Sequence, residues 1–130
     1  MKKPKITMTI LKEDTGYSAT GKVNDTFLAT QGDTFDELKD MILDAVNLAL
    51  EDLEFKYTID EIHFKYDLES FFDFYKVINA KALSERIGMS QSLLAQYTNG
   101  IKKPSPSQTK RILKGVQQIG RELTDVRFLL

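Results

Sequence analysis

Residues 79–100 read Asn79-Ala-Lys-Ala-Leu-Ser-Glu-Arg-Ile-Gly-Met-Ser-Gln-Ser-Leu-Leu-Ala-Gln-Tyr-Thr-Asn-Gly100, and this stretch predicts two short helices joined by a tight turn. Apolar residues recur at helical spacing in each half. Gly88 lies where the turn needs a residue that tolerates positive φ, and Ser90 can cap the second helix. Asn99 and Gly100 both tolerate the left-handed conformation and are expected to end it. This is the layout of a helix-turn-helix, whose second helix enters the major groove of DNA.

The polar face of the second predicted helix strengthens this interpretation. Gln91, Ser92 and Gln96 are expected to point outward, and none of them is a typical surface residue such as Glu or Lys. Glutamine pairs bidentately with adenine, and serine bonds to several base edges. A basic loop, Ile101-Lys-Lys-Pro104, follows and is suited to phosphates. The predicted DNA-binding residues are Ser90, Gln91, Ser92, Gln96, Asn99, Lys102 and Lys103. The apolar and glycine positions alone would also suit a plain helical hairpin.

The Gln-x-x-x-x-Gln spacing, the Asn-Gly end and the basic loop stand in the register of a known motif. Across residues 79–115 the chain resembles the phage-repressor (Xre-like) helix-turn-helix family. Repressors of this kind bind paired half-sites of double-stranded operator DNA as dimers, so a homodimer or higher homo-oligomer is expected. The short alternating tail Val126–Leu130 is expected to be a strand, paired with another subunit or packed within its own.

Charge divides the chain into two halves of opposite sign. The whole chain has a formal net charge of −1. Residues 1–75 carry eight Lys and Arg against sixteen Asp and Glu, which gives −8, whereas residues 76–130 carry ten against three, which gives +7. A basic module is the electrostatic footprint of DNA binding, and an acidic one suits a basic partner. Chance is the alternative, because short acidic domains are common.

Length and composition predict one domain or two small ones in a cytoplasmic protein. The chain has 130 residues, is 42% hydrophobic and contains no cysteine, which excludes disulfides and cysteine-based zinc sites. Its start is basic like a secretory leader. However, Ile6–Ile10 alternates apolar and polar residues, so a signal peptide is not expected. No apolar run approaches the length that would span a membrane.

The N-terminal half predicts a small sheet covered by a helix. Alternating apolar residues indicate strands, and Thr34 with Glu37 forms a capping-box pattern at the start of an amphipathic helix. A polar turn is expected at residues 22–25. The predicted order is β-β-β-α-β with an antiparallel sheet, which buries the apolar sides of both layers. The predicted elements are Ile6–Ile10, Tyr17–Thr20, Thr26–Thr30, a helix from Thr34 to about Leu53, and Ile59–Asp67.

A second resemblance covers residues 5–67. It is carried by Gly16-Tyr-Ser-Ala19, Ala29-Thr-Gln-Gly-Asp-Thr34 and Asp36-Glu-Leu38 at the start of the Ala- and Leu-rich helix. These residues are similar to those of the HicB antitoxin family. The resemblance implies a partial ribonuclease-H-like domain that binds a small basic, HicA-like, mRNA-cleaving toxin, and repression of the antitoxin's own operon. The expected fold is therefore α+β: this domain at residues 1–67, then an all-α helix-turn-helix domain at residues 68–130.

Catalysis, metal binding and cofactors are not expected. Nucleases of the ribonuclease-H type hold Mg²⁺ between carboxylates on strands and a helix. Here Ile6–Ile10 and Thr26–Thr30 contain no carboxylate. His63, the only histidine, is expected to lie in the last strand, facing away from the apolar side.

The aromatic segment 68–78 is expected to be the first helix of the C-terminal domain. Two alternatives to the antitoxin remain: a stand-alone repressor whose N-terminal domain senses a ligand or dimerises, and a nuclease.

Overall fold

The computed structural model describes residues 2–129 and divides the chain into two compact units, 1–74 and 75–130. The predicted α+β class and the order β-β-β-α-β are confirmed. The first unit contains β1 (Ile6–Lys12), β2 (Tyr17–Val23), β3 (Thr26–Gly32), α1 (Phe35–Ala49), β4 (Ile62–Tyr66) and α2 (Leu68–Phe74). The second contains α3 (Ala80–Ile87), α4 (Gln91–Thr98) and α5 (Pro106–Thr124).

The four strands form a mixed sheet in the order β3-β2-β1-β4. β1, β2 and β3 pair antiparallel, but β4 lies parallel to β1, with Ile6 opposite Ile62. The prediction of a purely antiparallel sheet is therefore wrong. A parallel pair needs a long crossover connection, and α1 lies within the connection that brings the chain back to the far side of β1.

The core of the first unit lies between the sheet and α1. Alternate residues of β1 are fully buried, as the alternating pattern predicts. α1 contributes Leu38, Ile42 and Val46, which are four residues apart and also fully buried. Strand β3 approaches the start of α1 closely at Gly32, where a Cβ would lie 2.7 Å from the backbone nitrogen of Leu38. Gly32 is thus required for the sheet and the helix to pack.

Several predicted boundaries differ from the structure. β2 continues to Val23, which is buried, so the turn is reduced to Asn24 and Asp25, and Asn24 adopts a φ of 54°. α1 ends at Ala49, and a separate 3₁₀ turn follows at Glu51–Leu53. Another 3₁₀ turn occupies Ile59–Glu61, so β4 begins only at Ile62. At the end of α1 and the start of β4, a local turn replaces residues that periodicity had assigned to a longer element, whereas β2 extends into residues assigned to a turn.

The helix predicted to open the C-terminal domain belongs instead to the first unit. The Ser70 hydroxyl accepts a hydrogen bond from the backbone amide of Lys12 at the end of β1 (2.8 Å). Phe74 contacts the rings of Tyr17 and Phe35, with centroids 4.4 and 4.3 Å apart. The aromatic character of the segment therefore comes from packing on the sheet, and the boundary between the units follows residue 74 instead of residue 67.

Capping at the start of α1 follows the prediction only in part. The Thr34 hydroxyl accepts from the amide of Glu37 (3.1 Å), as predicted, but the Glu37 carboxylate accepts from the amide of Asp33 instead of Thr34. Residues 126–129 form no strand within this chain, and the pairing of a C-terminal strand with another subunit stays a prediction. Leu130, which the prediction included, lies outside the described residues.

Candidate nucleic-acid interface

The end of α3 and the start of α4 are held by local hydrogen bonds that the sequence predicts. Gly88 has a φ of 70°, which ends α3 in the left-handed conformation. The amide of Met89 then donates to the carbonyl of Ser84 (2.9 Å). The Ser90 hydroxyl accepts from the amide of Leu93 (3.1 Å), so it caps α4 as predicted. Three residues therefore suffice to turn the chain between the two helices.

α4 packs through one face and exposes the other. Leu94 and Tyr97 are buried, and Leu93 is half-buried. On α3, Ser84 is buried, and its hydroxyl donates to the carbonyl of Lys81 (2.6 Å). Its small side chain takes up little space on α3. The sequence therefore predicted the inward side of α4 well, because apolar spacing decides it directly.

The outward face of α4 carries hydrogen-bonding side chains without charge. Gln91, Ser92 and Asn99 are exposed, and Gln96 is half-buried at the edge of the face. Ala95 lies between them, where its methyl group can meet a thymine methyl in a major groove. Sequence reasoning missed Ala95, because a small apolar residue carries no polar signal. Asn99 has a φ of −93°, so only Gly100 adopts the predicted left-handed conformation.

The basic loop is attached to the C-terminal end of α4. The amides of Ile101 and Lys102 both donate to the carbonyl of Gln96, at 2.9 and 3.2 Å. Lys102 and Lys103 are exposed. The backbone of Lys102 is therefore bonded to the helix that carries Gln91 and Gln96, and Lys103 follows it directly in the chain. The structure thus brings together all seven predicted residues on one helix and its flanks.

Two arginines brace this arrangement. The guanidinium of Arg111 on α5 donates to the carbonyls of Ile87 and Gly88 at the end of α3 (2.9 and 2.7 Å). Arg86 forms an ion pair with Glu122 at 2.8 Å. The Arg86 guanidinium holds the pKa of Glu122 below its usual range. α5 also approaches α3 closely at Gly115, where a Cβ would lie 2.4 Å from Cγ2 of Ile87. α5 therefore fixes the orientation of α3, and through the turn that of α4.

The first unit presents an acidic groove beside the end of α1. Its volume is about 620 Å³, and it is lined by Asp44, Asn47, Leu48, Glu51, Glu54, Phe55 and Lys56. Leu48 is 73% exposed. The side-chain amide of Asn47 donates to the carbonyl of Tyr57 (3.2 Å) and accepts from its backbone amide (2.7 Å). A lining that combines three carboxylates with Leu48 and Phe55 has the chemistry to receive a basic, partly apolar surface.

The four strands of the described chain carry no carboxylate, and His63 is exposed on β4. Among residues 2–129, no group of three or more His, Asp or Glu side chains is arranged to hold a metal ion. Within the same residues, none of the helices combines the length and the apolar character needed to cross a membrane.

The chain matches no family model, and comparison with curated proteins and with solved structures finds no significant match either.

Proposed function

We propose that this protein is the antitoxin of a type II toxin–antitoxin system. In this proposal the first unit binds and neutralises a small basic, HicA-like, mRNA-cleaving toxin, and the second unit binds operator DNA as a helix-turn-helix domain to repress its own operon. The protein acts in the cytoplasm, as a homodimer or higher homo-oligomer, and is not an enzyme. The resemblances to HicB antitoxins and to Xre-like repressors suggested both roles.

One observation carries the DNA-binding half of the proposal: α4 has an uncharged hydrogen-bonding face next to a fixed basic loop. Gln91, Ser92 and Gln96 supply groups that read base edges. Lys102, whose amide donates to the Gln96 carbonyl, and the adjacent Lys103 supply phosphate contacts. The second unit, residues 75–130, has ten basic residues against three acidic ones, and this net charge of +7 favours approach to DNA.

The toxin-binding half rests on the opposite charge of the first unit. Residues 1–74 carry sixteen acidic and eight basic residues, a net charge of −8, which speeds association with a basic protein and repels nucleic acid. The ribonuclease-H-like description of this unit comes from the resemblance. The observed mixed sheet with α1 on one face is compatible with it.

Selection of duplex DNA from a random pool by the full-length protein tests the DNA-binding half. The Gln91→Ala and Gln96→Ala double variant should bind the selected site more weakly, by roughly 1–3 kcal/mol for each bidentate glutamine–adenine pair that it removes. Gln117→Ala, an exposed glutamine on α5, is the matched control. Equal affinity of the double variant and the control would refute the assignment of α4 as the recognition helix.

Replacing both Lys102 and Lys103 by Ala should act differently. Because phosphate contacts release counterions, binding to all sequences should weaken alike, and its salt dependence should become shallower. A changed sequence preference with an unchanged salt dependence would mean that the loop reads bases.

Co-expression with the small basic protein encoded beside this gene tests the toxin-binding half. The full-length protein should form a complex with it and abolish its RNA cleavage. A stand-alone repressor, whose first unit senses a ligand or dimerises, is the second candidate. It is favoured if no such neighbour exists or if the neighbour neither binds nor cleaves RNA.

A further inference from the structure

α5 carries apolar side chains that the second unit does not cover. An α-helix turns by about 100° per residue, and this rotation places all the charged residues of α5 on one half of its circumference. They are Lys110, Arg111, Lys114, Arg121 and Glu122. On the uncharged half, Ile112 is 1% exposed, whereas Leu113 and Leu123 are 50% and 64% exposed. Apolar spacing alone would place Leu123 on the buried side with Ile112, but the structure leaves it exposed. The helix extends beyond the small core that covers Ile112.

Three exposed residues (Leu113, Gly120 and Leu123) and the half-buried Val116 form a seam along the helix. Leu113, Val116, Gly120 and Leu123 follow one another at spacings of three, four and three residues. This is the spacing with which a helix packs against another helix. A Cβ on Gly120 would meet no atom within 4 Å, so nothing in the chain requires a glycine there. A glycine in a helix interior costs about 1 kcal/mol relative to alanine, yet it lets a second helix approach closely.

The seam is complementary to itself. Leu113 and Leu123 lie five residues before and after Gln118, and Val116 and Gly120 lie two residues before and after it. Suppose that two α5 helices pair antiparallel and are related by a twofold axis that crosses them at the level of residue 118. Each Leu113 then faces Leu123 of the other copy. Each Val116 then faces Gly120 of the other copy, so the valine side chain can occupy the space that glycine leaves free. We propose that two copies of this chain pair through α5 in this antiparallel arrangement.

The absence of charge on the seam favours a second copy over a charged partner. Each second unit carries a net charge of +7, yet the charged residues of α5 lie on the opposite half of the helix, so like charges do not meet. Val126 and Phe128, 45% and 83% exposed, add apolar surface beyond the helix. These are far fewer residues than the roughly 20–30 a side of a standard interface, so the pairing belongs among the weak ones. A concentration-dependent dimer is therefore expected.

This pairing deepens the proposed operator binding, which needs paired copies, but it is measured without DNA. Sedimentation velocity of the full-length protein from about 1 to 100 µM should show a monomer–dimer equilibrium. Leu123→Glu should weaken dimerisation at least ~10-fold, because it places a charge in the seam. Phe27→Glu likewise introduces a glutamate at an exposed apolar residue, 68% exposed on β3 and outside the seam, and should behave as wild type. A wild-type monomer throughout, or equal behaviour of the two variants, would overturn the proposal.

Cross-linking tests the direction of pairing, since the chain has no cysteine. Chains bearing Leu113→Cys and Leu123→Cys, one of them with a size tag, are mixed and treated with a short bis-maleimide. Antiparallel pairing predicts that the mixed product dominates. Dominant like-with-like products would refute the antiparallel arrangement. If dimers form in this way but select no DNA, the pairing is retained and operator binding is rejected.

Discussion

The two units are stabilised in different ways. Among residues 2–129, the first unit buries twelve hydrophobic side chains almost completely between a sheet and α1, whereas the second buries five. The second unit compensates with caps, a close helix contact at Gly115 and the Arg111 and Arg86 bonds. The first unit can therefore vary its surface without risk to its core. In the second unit, a few local contacts determine both the stability and the position of α4.

The largest effect should come from the core of the first unit. Ile42→Ala removes a fully buried side chain between α1 and the sheet, and it should lower the free energy of unfolding by about 2–5 kcal/mol. Met41→Ala, next to it but 43% exposed, should cost far less. Urea unfolding followed by circular dichroism compares them. Similar losses of unfolding free energy in both variants would mean that burial of Ile42 beneath α1 does not contribute more to stability than the exposed Met41.

A pair of glycines on α5 tests whether close contact or intrinsic propensity controls the second unit. Gly115→Ala places a methyl group against Ile87 and should destabilise the unit by about 1–3 kcal/mol. Gly120→Ala meets no atom within 4 Å and, at concentrations low enough to be monomeric, should stabilise it by about 1 kcal/mol. Thermal unfolding of both variants gives the sign of each change. Stabilisation by Gly115→Ala would show that α3 and α5 can separate freely.

The helix caps should contribute less, and about equally in the two units. Thr34→Ala removes the acceptor for the amide of Glu37 in α1, and Ser90→Ala removes the acceptor for the amide of Leu93 in α4. Each should cost about 1 kcal/mol of stability. Ser107→Ala, near the start of α5, is a control, because Ser105 already caps that helix. If Ser90→Ala weakened DNA binding far more than it lowered stability, Ser90 would also contact DNA.

The sequence predicted elements wherever the signal was local. Apolar alternation located β1, the Thr34 cap located the start of α1, and Gly88 with Ser90 located the turn before α4. It failed where the answer depends on distant contacts. The parallel pairing of β4 is decided by the route of the chain over α1, and the placement of α2 by the Lys12–Ser70 bond and the aromatic contacts of Phe74.

The same division applies to the candidate site. All seven predicted DNA-binding residues fall on α4 or its flanks because helical spacing alone places them there. The bracing of α3 by Arg111 could not be foreseen, because no local pattern shows that the fold brings the carbonyls of Ile87 and Gly88 beside this exposed arginine. Asn47, which lines the acidic groove, also bonds to the backbone of Tyr57, a contact across ten residues that periodicity does not predict.

The smallest effects should separate the two units by pH. Arg86 lowers the pKa of Glu122 from its usual value of 4.5, so this ion pair stabilises the second unit above that pH and ceases to do so as the pH falls through the lowered pKa. The hydrogen bond to Asp73 raises the pKa of Tyr17 above 10.0. That hydrogen bond therefore stabilises the first unit below pH 10.0, and the stabilisation disappears as the pH rises through the raised pKa.

Two variants, Arg86→Gln and Tyr17→Phe, turn this contrast into a measurement. The stability difference between wild type and Arg86→Gln should be present at neutral pH and vanish in acid. The difference between wild type and Tyr17→Phe should instead vanish in alkali and persist in acid while Asp73 stays ionised. Denaturant unfolding across pH gives both curves. If both differences vanished at the same end of the pH scale, the two interactions would not titrate through the groups named here, and the local bonds assigned to each unit would need another explanation.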